Sequence, residues 1–442
     1  MKKFKRLATL LLAAVLGLSG CGFATVEQMY ALPKRSTQYH DLQNAIDSTM
    51  QGLEYAAPTS GEYQQTVQQA DLDGDGESEY LLFARETSGE KLLKILIFKR
   101  AEKSYRLMET IESRGAAFQV VEYANMDNNP GLELIVGRSV ADQVMGAVSV
   151  YTFAKGLSEQ LISVSYDEFV MCDLDDSGLS ELMIIAQGAT DHANAVASLY
   201  SYEGGSMVRS AEANLSAPAE NIKRIMVSNL SGGHHAVYVA SALDESAVIT
   251  DVFAMKDDTF TNVSFSNESG TSIQTLRNYY VYADDIDDDG VLELPSLMEM
   301  TVSGQRSYSA MQYLIRWYAM TIDGGEVDKM YTFHNFDAGW YILLGSKWAH
   351  RILVTQDGST YTFSMWDQDF TEAEKIFTVY TLSGAEREQE ALEAGRFILH
   401  RTDSVIYCGS LEQAAAEQYG VTQASMTEYF RFIQRDWKTG ET

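Results

Sequence analysis

Four stretches of this 442-residue chain place oxygen-bearing side chains at one fixed spacing. Asp71-Leu72-Asp73-Gly74-Asp75-Gly76-Glu77-Ser78-Glu79 is the clearest, and Asn125 to Glu133, Asp173 to Glu181 and Asp285 to Glu293 repeat its frame. Carboxylates or amides at positions 1, 3 and 5, a backbone carbonyl near 7 and an acid at 9 can wrap one hard cation in six or seven oxygens, while glycine at 6 permits the sharp bend. An EF-hand would need a bidentate Glu at position 12. That position holds Leu82, Val136, Ile184 and Ser296. A further copy, Asn229-Leu230-Ser231-Gly232-Gly233, keeps the frame without its acids. Asp, Asn and Gly also favour turns that hold no metal. A lone loop would carry little weight, and recurrence in one register is what favours a cation.

The five loops start at 71, 125, 173, 229 and 285, so they lie 54, 48, 56 and 56 residues apart. That period suits one four-stranded propeller blade per loop. β-like runs such as Phe118 to Val121 and Asn278 to Tyr282 precede the loops, and apolar runs such as Leu182 to Ile185 follow them. Alternating stretches such as Ala147 to Phe153 read as outer strands. The expected fold is mainly β: a β-propeller of about five blades over residues 63–336, with each loop in a strand-to-strand turn. Residues 296–337 leave room for a sixth blade.

These segments resemble the FG-GAP or VCBS type of propeller repeat. The stretch from Tyr30-Ala31-Leu32-Pro33 through Tyr55 to Gly61 is similar to uncharacterised propeller lipoproteins of Gram-positive bacteria. The resemblance implies structural calcium held by Asp71, Asp73, Asp75 and Glu79; by Asn125, Asp127, Asn129 and Glu133; by Asp173, Asp175, Ser177 and Glu181; and by Asp285, Asp287, Asp289 and Glu293. Loops two and three depart from the pattern through Asn125, Asn129, Pro130 and Ser177, and are expected to bind more weakly. The loop at 229, with Ser231, Gly233 and Val237, is expected to be empty. No known activity comes with the resemblance.

Residues 1–20 read as an export signal: a cationic start, Met1 to Arg6, then an apolar run, Leu7 to Leu18. That run is shorter than the ~20 residues of a membrane-spanning helix. It ends in Leu18-Ser19-Gly20-Cys21, which resembles a lipobox and implies lipid on Cys21, cleavage before it and a place on the extracytoplasmic face of the bacterial cell membrane. An ordinary secreted protein is the alternative. Residues 21–62 form the tether and an amphipathic helix, Ser36 to Leu53, with Tyr39, Leu42, Ile46, Met50 and Leu53 on one stripe. Loss of the signal takes away four cations and no acid, leaving 29 Lys plus Arg against 62 Asp plus Glu, a net charge of −33. Such a surface repels nucleic acid and attracts divalent cations. Cys172 and Cys408 show no metal-like spacing and are expected as two buried thiols, with a disulfide the alternative.

All five tryptophans, Trp317, Trp340, Trp348, Trp366 and Trp437, lie in the last third, where the loops have stopped. Residues 337–442 are therefore expected as a small α+β domain. Its strands are placed at 340–344, 351–356, 360–366 and 375–382, and its helices at 386–395, 411–419 and 425–433. Exposed aromatic rings there can stack on a sugar, but more often such rings are core. No Gly-x-Ser-x-Gly elbow, His-Glu-x-x-His, Walker loop or dinucleotide fingerprint occurs, and the His234-His235 pair reads as an exposed turn. The expected function is a surface binding or scaffold module for an extracellular protein, peptide or glycan. The rival is an extracellular hydrolase or lyase acting on polysaccharide, whose carboxylates need no local motif.

Overall fold

The computed structural model describes residues 37–439 except 91, 103, 141–144, 190–192, 245, 299, 303, 304, 308–311 and 349. The expected signal, Cys21 and Ser36, the first residue of the expected helix, lie outside the described residues. The chain is mainly β and lays down antiparallel sheets one after another.

The first sheet holds β1 (Leu53–Tyr55), β2 (Val67–Ala70), β3 (Glu79–Glu86), β4 (Leu93–Ala101) and β5 (Ser104–Ser113). The second holds β6 (Ala117–Ala124), β7 (Glu133–Ser139), β8 (Gly146–Thr152) and β9 (Glu159–Tyr166). The third runs β10 (Glu168–Cys172), β11 (Glu181–Ala186), β12 (Val196–Glu203) and β13 (Ser206–Asn214). The fourth runs β14 (Ile222–Asn229), β15 (His235–Ala242), β16 (Val248–Lys256) and β17 (Thr259–Asn262). In the second, third and fourth sheets the spatial order equals the chain order, a plain meander.

The pattern then changes. A fifth sheet has the order β18 (Glu293–Met298), β21 (Gln312–Met320), β22 (Glu326–Asn335), β23 (Trp340–Leu344) and β29 (Phe430–Phe432). A two-stranded excursion, β19 (Met300–Val302) and β20 (Gln305–Ser307), lies between its first two members. The sixth sheet contains β24 (Ile352–Asp357), β25 (Thr360–Trp366), β26 (Ala373–Ser383), β28 (Val405–Leu411) and β27 (Arg396–Arg401), in that order. The boundary expected after residue 336 falls in the turn between β22 and β23, whose hydrogen-bonded register runs from Tyr331–Leu344 to Asn335–Trp340.

Burial follows strand periodicity and joins each sheet to the next. Leu81, Phe83, Ile95 and Ile97 of the first sheet share a core with Phe118, Val121, Leu134 and Val136 of the second. Ile135, Val148 and Val150 continue to Leu182 and Ile184 of the third, and Met183, Ile185 and Leu199 to Val237, Val239 and Phe253 of the fourth. Phe333, Trp340 and Ile342 of the fifth meet Phe363, Ile376 and Val379 of the sixth. The helix α1 (Thr37–Thr49) lays Ile46 on Leu82, Leu96 and Phe98, as expected, with Leu42, Met50 and Leu53 beside it. It ends earlier than expected because Gly52 turns at φ +78° and Leu53 joins a strand.

Two local expectations are corrected. Asn278 to Tyr282 is not a strand: Tyr279, Val281 and Tyr282 are plugged into the core, and only Arg277 and Asp284 on either side make isolated bridges. The helix expected over 425–433 is α4 (Gln423–Tyr429), following α2 (Arg387–Ala391) and α3 (Gln413–Tyr419); residues 430–432 pair with β23 instead. All five tryptophans are buried in the core, the more frequent of the two roles weighed for them. Cys172 and Cys408 are both free and buried. Among the described residues no helix is long and apolar enough to cross a membrane.

Candidate metal centre

Each acidic loop is fastened at two points by its own sequence. Position 2 is apolar and buried: Leu72, Met126, Leu174 and Ile286 sit in the core. Position 9 is a buried glutamate on the following strand, whose Oε2 accepts a hydrogen bond from the backbone N–H of position 2. The distances are 3.0 Å for Glu79 with Leu72, 2.7 Å for Glu133 with Met126, 2.9 Å for Glu181 with Leu174 and 3.1 Å for Glu293 with Ile286. In the acid-free loop the N–H of Leu230 donates to the carbonyl of His234 at 2.7 Å instead.

Position 1 then shapes the bend. Asp71 accepts from the N–H groups of Gly74 and Gly76 at 2.8 and 3.0 Å, Asp173 from Ser177 and Gly178 at 3.1 and 2.9 Å, and Asp285 from Asp289 and Gly290, both at 2.9 Å. Position 4 is left-handed in every acidic loop, with φ of +71°, +63°, +58° and +61° at Gly74, Asn128, Asp176 and Asp288. Position 6 is left-handed at Gly76, Gly178 and Gly290, but Pro130 cannot adopt that φ. The second loop therefore bends differently.

These turns gather the acids. Ligand oxygens of Asp71, Asp73 and Glu79 lie within 4.8 Å of one another, as do those of Asp173, Asp175 and Glu181, and those of Asp285, Asp287 and Asp289. Asp75 reaches the first cluster through Lys99, and Glu293 stands behind the last one. Ser177 spends its hydroxyl on the N–H of Leu179 at 3.3 Å. In the second loop Asp127 accepts from the N–H of Asn129 and from Thr152 Oγ1, both at 2.8 Å, beside Glu133. Asn125 and Asn129 supply no charge there.

The donor chemistry fits a hard cation. Among the described residues, Asp73 Oδ1, Asn125 Oδ1, Asp287 Oδ1 and Glu293 Oε1 are buried and accept no hydrogen bond, and Glu79 Oε1 is faced only by the Lys99 ammonium, 3.3 Å away. A buried oxygen without a donor costs free energy unless a cation meets it. Burial is the main reason that Glu133 and Glu181 are pushed up to about 7 and Glu293 to about 8, against an ordinary 4.5, with nearby aspartates adding to the rise and the position-2 N–H opposing it. Glu79 is raised for the same reasons, with Lys99 opposing.

Two features escaped the sequence. Lys99 Nζ is ion-paired with Asp73 and lies 2.7 Å from Asp75 and 3.3 Å from Glu79, and Lys329 is ion-paired with Asp289, 3.8 Å from Glu293. The hairpin register offered a signal for the first: Lys99 is one step past the Tyr80–Phe98 pair, opposite Glu79. The second feature is that the loops touch in sequence. Leu132 N–H donates to Asp71 O at 3.1 Å, and Ser180 N–H to Asn125 O at 2.8 Å. The His235 ring meets Asp173 O through Nδ1, so this histidine is half-buried between loops and not an exposed turn. Asn229 bridges Val291, and its Nδ2 donates to Gly290 O at 3.0 Å.

Away from the loops, a cavity of about 260 Å³ lies among Leu344, Trp348, Phe377, Tyr419, Met426 and Tyr429.

No family model matches the chain, and no curated protein is similar to it. Solved structures similar to it include the exotype rhamnogalacturonan lyase YesX, with 13% identity over 74% of this chain and a TM-score of 0.32. Sqt1 of Saccharomyces cerevisiae shares 8% identity over 80% of this chain and 99% of its own, with a TM-score of 0.31. Rhamnogalacturonan lyase PL11 of Bacillus licheniformis shares 12% over 73% of this chain and 72% of its own, with a TM-score of 0.28. The match spans 65% of the length of YesX.

Proposed function

We propose that this chain is a calcium-binding β-propeller lipoprotein of the FG-GAP or VCBS kind. In this reading it is held to the outer face of a bacterial cell membrane by lipid on Cys21, and presents its propeller for binding an extracellular protein, peptide or glycan. The calcium is structural. One observation carries that part of the reading: Glu79 and Glu293 are fully buried, each ties one oxygen to a backbone N–H, and each turns the other toward an aspartate cluster, where only a lysine ammonium, 3.3 Å from Glu79 and 3.8 Å from Glu293, faces it. Bound calcium would be held by positions 1, 3, 5 and 9 of loops one, two, three and five, and would neutralise carboxylates that the fold forces together. A ligand that binds only the folded chain at a hundred times its Kd stabilises it by about 2.7 kcal/mol.

Calorimetric titration of residues 21–442 with calcium chloride, and melting with and without a chelator, test the reading. Uptake of calcium together with a melting temperature that falls in chelator supports it, and no uptake with no change removes it. A glycan array and a reducing-sugar release assay address the binding role. Capture without release supports a binding module, whereas release abolished by one carboxylate substitution makes the protein an enzyme. The anchor is tested by Cys21→Ser, expected to move the protein out of the membrane fraction.

A further inference from the structure

In loops one and five an ammonium group already stands among the carboxylates. Lys99 reaches Asp73, Asp75 and Glu79 from β4, and Lys329 reaches Asp289 and Glu293 from β22. Both lysine side chains are only about a fifth exposed. Among the described residues no lysine stands at the acids of loops two and three; Asp127 takes a hydroxyl hydrogen bond from Thr152 instead. The lysines thus coincide with charge: loops one and five carry four acids each at the ligand positions, against two in loop two and three in loop three.

A calcium ion and an ammonium group cannot share these oxygens. Calcium needs the same lone pairs at roughly 2.3–2.6 Å, and a positive charge held a few ångströms away opposes it. A lysine can leave without unfolding its strand, because its stem is long and its head is readily hydrated. Space exists for that movement beside loop one, where a cavity of about 450 Å³ is bounded by Asp73, Lys99, Arg106, Leu107, Gly156 and Leu157.

Resting on the calcium reading above, we propose that Lys99 and Lys329 are exchangeable counter-ions built into the two most acidic loops. Each occupies its carboxylate cluster when calcium is absent and is displaced when calcium binds. Loops one and five therefore take up calcium by exchange, and loops two and three by addition. The metal-free fold keeps its acids neutralised, and the most acidic loops bind calcium less tightly than their charge alone dictates.

The test uses residues 21–442 as wild type, Lys99→Met, Lys329→Met and the charge-retaining Lys99→Arg. Calcium chloride titrations are paired with lysine acetylation read by mass spectrometry. In the wild type, calcium is expected to speed acetylation of Lys99 and Lys329, which needs no variant to fold. Each Met variant is expected to bind one of its calcium ions at least about tenfold tighter with the number of sites unchanged, and to melt lower than wild type only in chelator. Lys99→Arg is expected to stay near wild type. Calcium uptake by the wild type with unchanged acetylation, or with Met variants that bind no tighter, overturns the exchange while leaving the calcium reading intact. A wild type that takes up no calcium overturns both.

Discussion

The backbone N–H of Leu132 donates to the carbonyl oxygen of Asp71 at 3.1 Å, so the second acidic loop rests directly on the first. The contact is tight. A Cβ added at Gly131 would meet Leu72 O at 2.0 Å, and one added at Gly74 would meet the carbonyl carbon of Pro130 at 2.5 Å. Gly131→Ala is expected to destabilise the fold by about 1–3 kcal/mol through forced displacement of the two loops. Gly178→Ala supplies the comparison, since its φ of +81° is strained but nothing lies within 4 Å; its cost is about 1–2 kcal/mol. Calorimetric melting in chelator measures both. A Gly131→Ala protein that melts with the wild type would show that the loops do not press on one another.

Glu79→Gln separates the structural and the ionic duties of position 9. The amide oxygen can still accept from the N–H of Leu72, so the loop keeps its shape, and a buried charge disappears. Stability in chelator is expected to match or exceed that of the wild type. Calcium affinity of one site is expected to fall at least about tenfold, since a coordinating carboxylate is gone. Unchanged titration curves would remove Glu79 from the ligand set.

The raised carboxyls give a pH dependence with a definite sign. Glu133 and Glu181 lie at about 7 and Glu293 at about 8, each mainly through burial, while the ordinary value is 4.5. Between those limits the folded chain keeps protons that the unfolded chain has released. Stability is thus fully present below pH 4.5 and is lost as pH rises through 7 to 8. Calcium works in the opposite direction, because it binds the carboxylates. Melting temperature in chelator is expected to fall from pH 5 to pH 8, and added calcium to raise it more at pH 8 than at pH 5. A calcium effect that is equal at both would contradict this assignment.

The acidic frame was legible because it is local: ligand positions, bend and buried position 2 all fall within nine residues. Lys99, Thr152 and Lys329 were not, because each comes from another strand and meets its acid only through pairing register. His235 was misread for the same reason, since its partner is a carbonyl 62 residues away. The aromatic run at Asn278 to Tyr282 misled differently. Its residue types favour a strand, but tertiary burial of Tyr279 and Tyr282 overrode that preference. The clustering of tryptophans marked a change in the chain without showing that β22 and β23 continue one sheet across it.

Asp251 gives a control outside the loops. It sits in the apolar run of β16, fully buried, and its carboxylate accepts from Ser216 N–H at 2.8 Å, Ser216 Oγ at 2.6 Å, Ser272 Oγ at 2.6 Å and Asn262 Nδ2 at 2.8 Å. Every partner is a donor. Asp251→Asn turns an amide N–H₂ toward those donors, and each one left unmet costs about 1–3 kcal/mol. The melting temperature is expected to drop by the same amount with and without calcium. A loss confined to the calcium-loaded protein would place Asp251 in the metal system.

Trp437 fixes the C-terminal end of the chain to the middle of the fold. Its ring lies 5.7 Å from Trp317, 5.6 Å from His334 and 5.7 Å from Tyr341, and next to it Asp436 pairs with Arg224 of β14 at 2.8 Å. Trp437→Ala is expected to cost about 3–5 kcal/mol as a core truncation. Arg224→Ala, which breaks a partly exposed pair, is expected to cost under about 1 kcal/mol. His334 reports on the same event. Burial holds its pKa down at about 3, so the unfolded chain binds its proton first and stability is lost as pH falls from the ordinary 6.5 toward 3. Opening the Trp437 side of the ring to water raises that pKa. Histidine NMR of Trp437→Ala should show one additional titration between pH 5 and 7, and a smaller loss of stability with acid. A His334 that stays neutral at pH 5 in the variant would mean that the strands beside it, and not the Trp437 ring, keep water out.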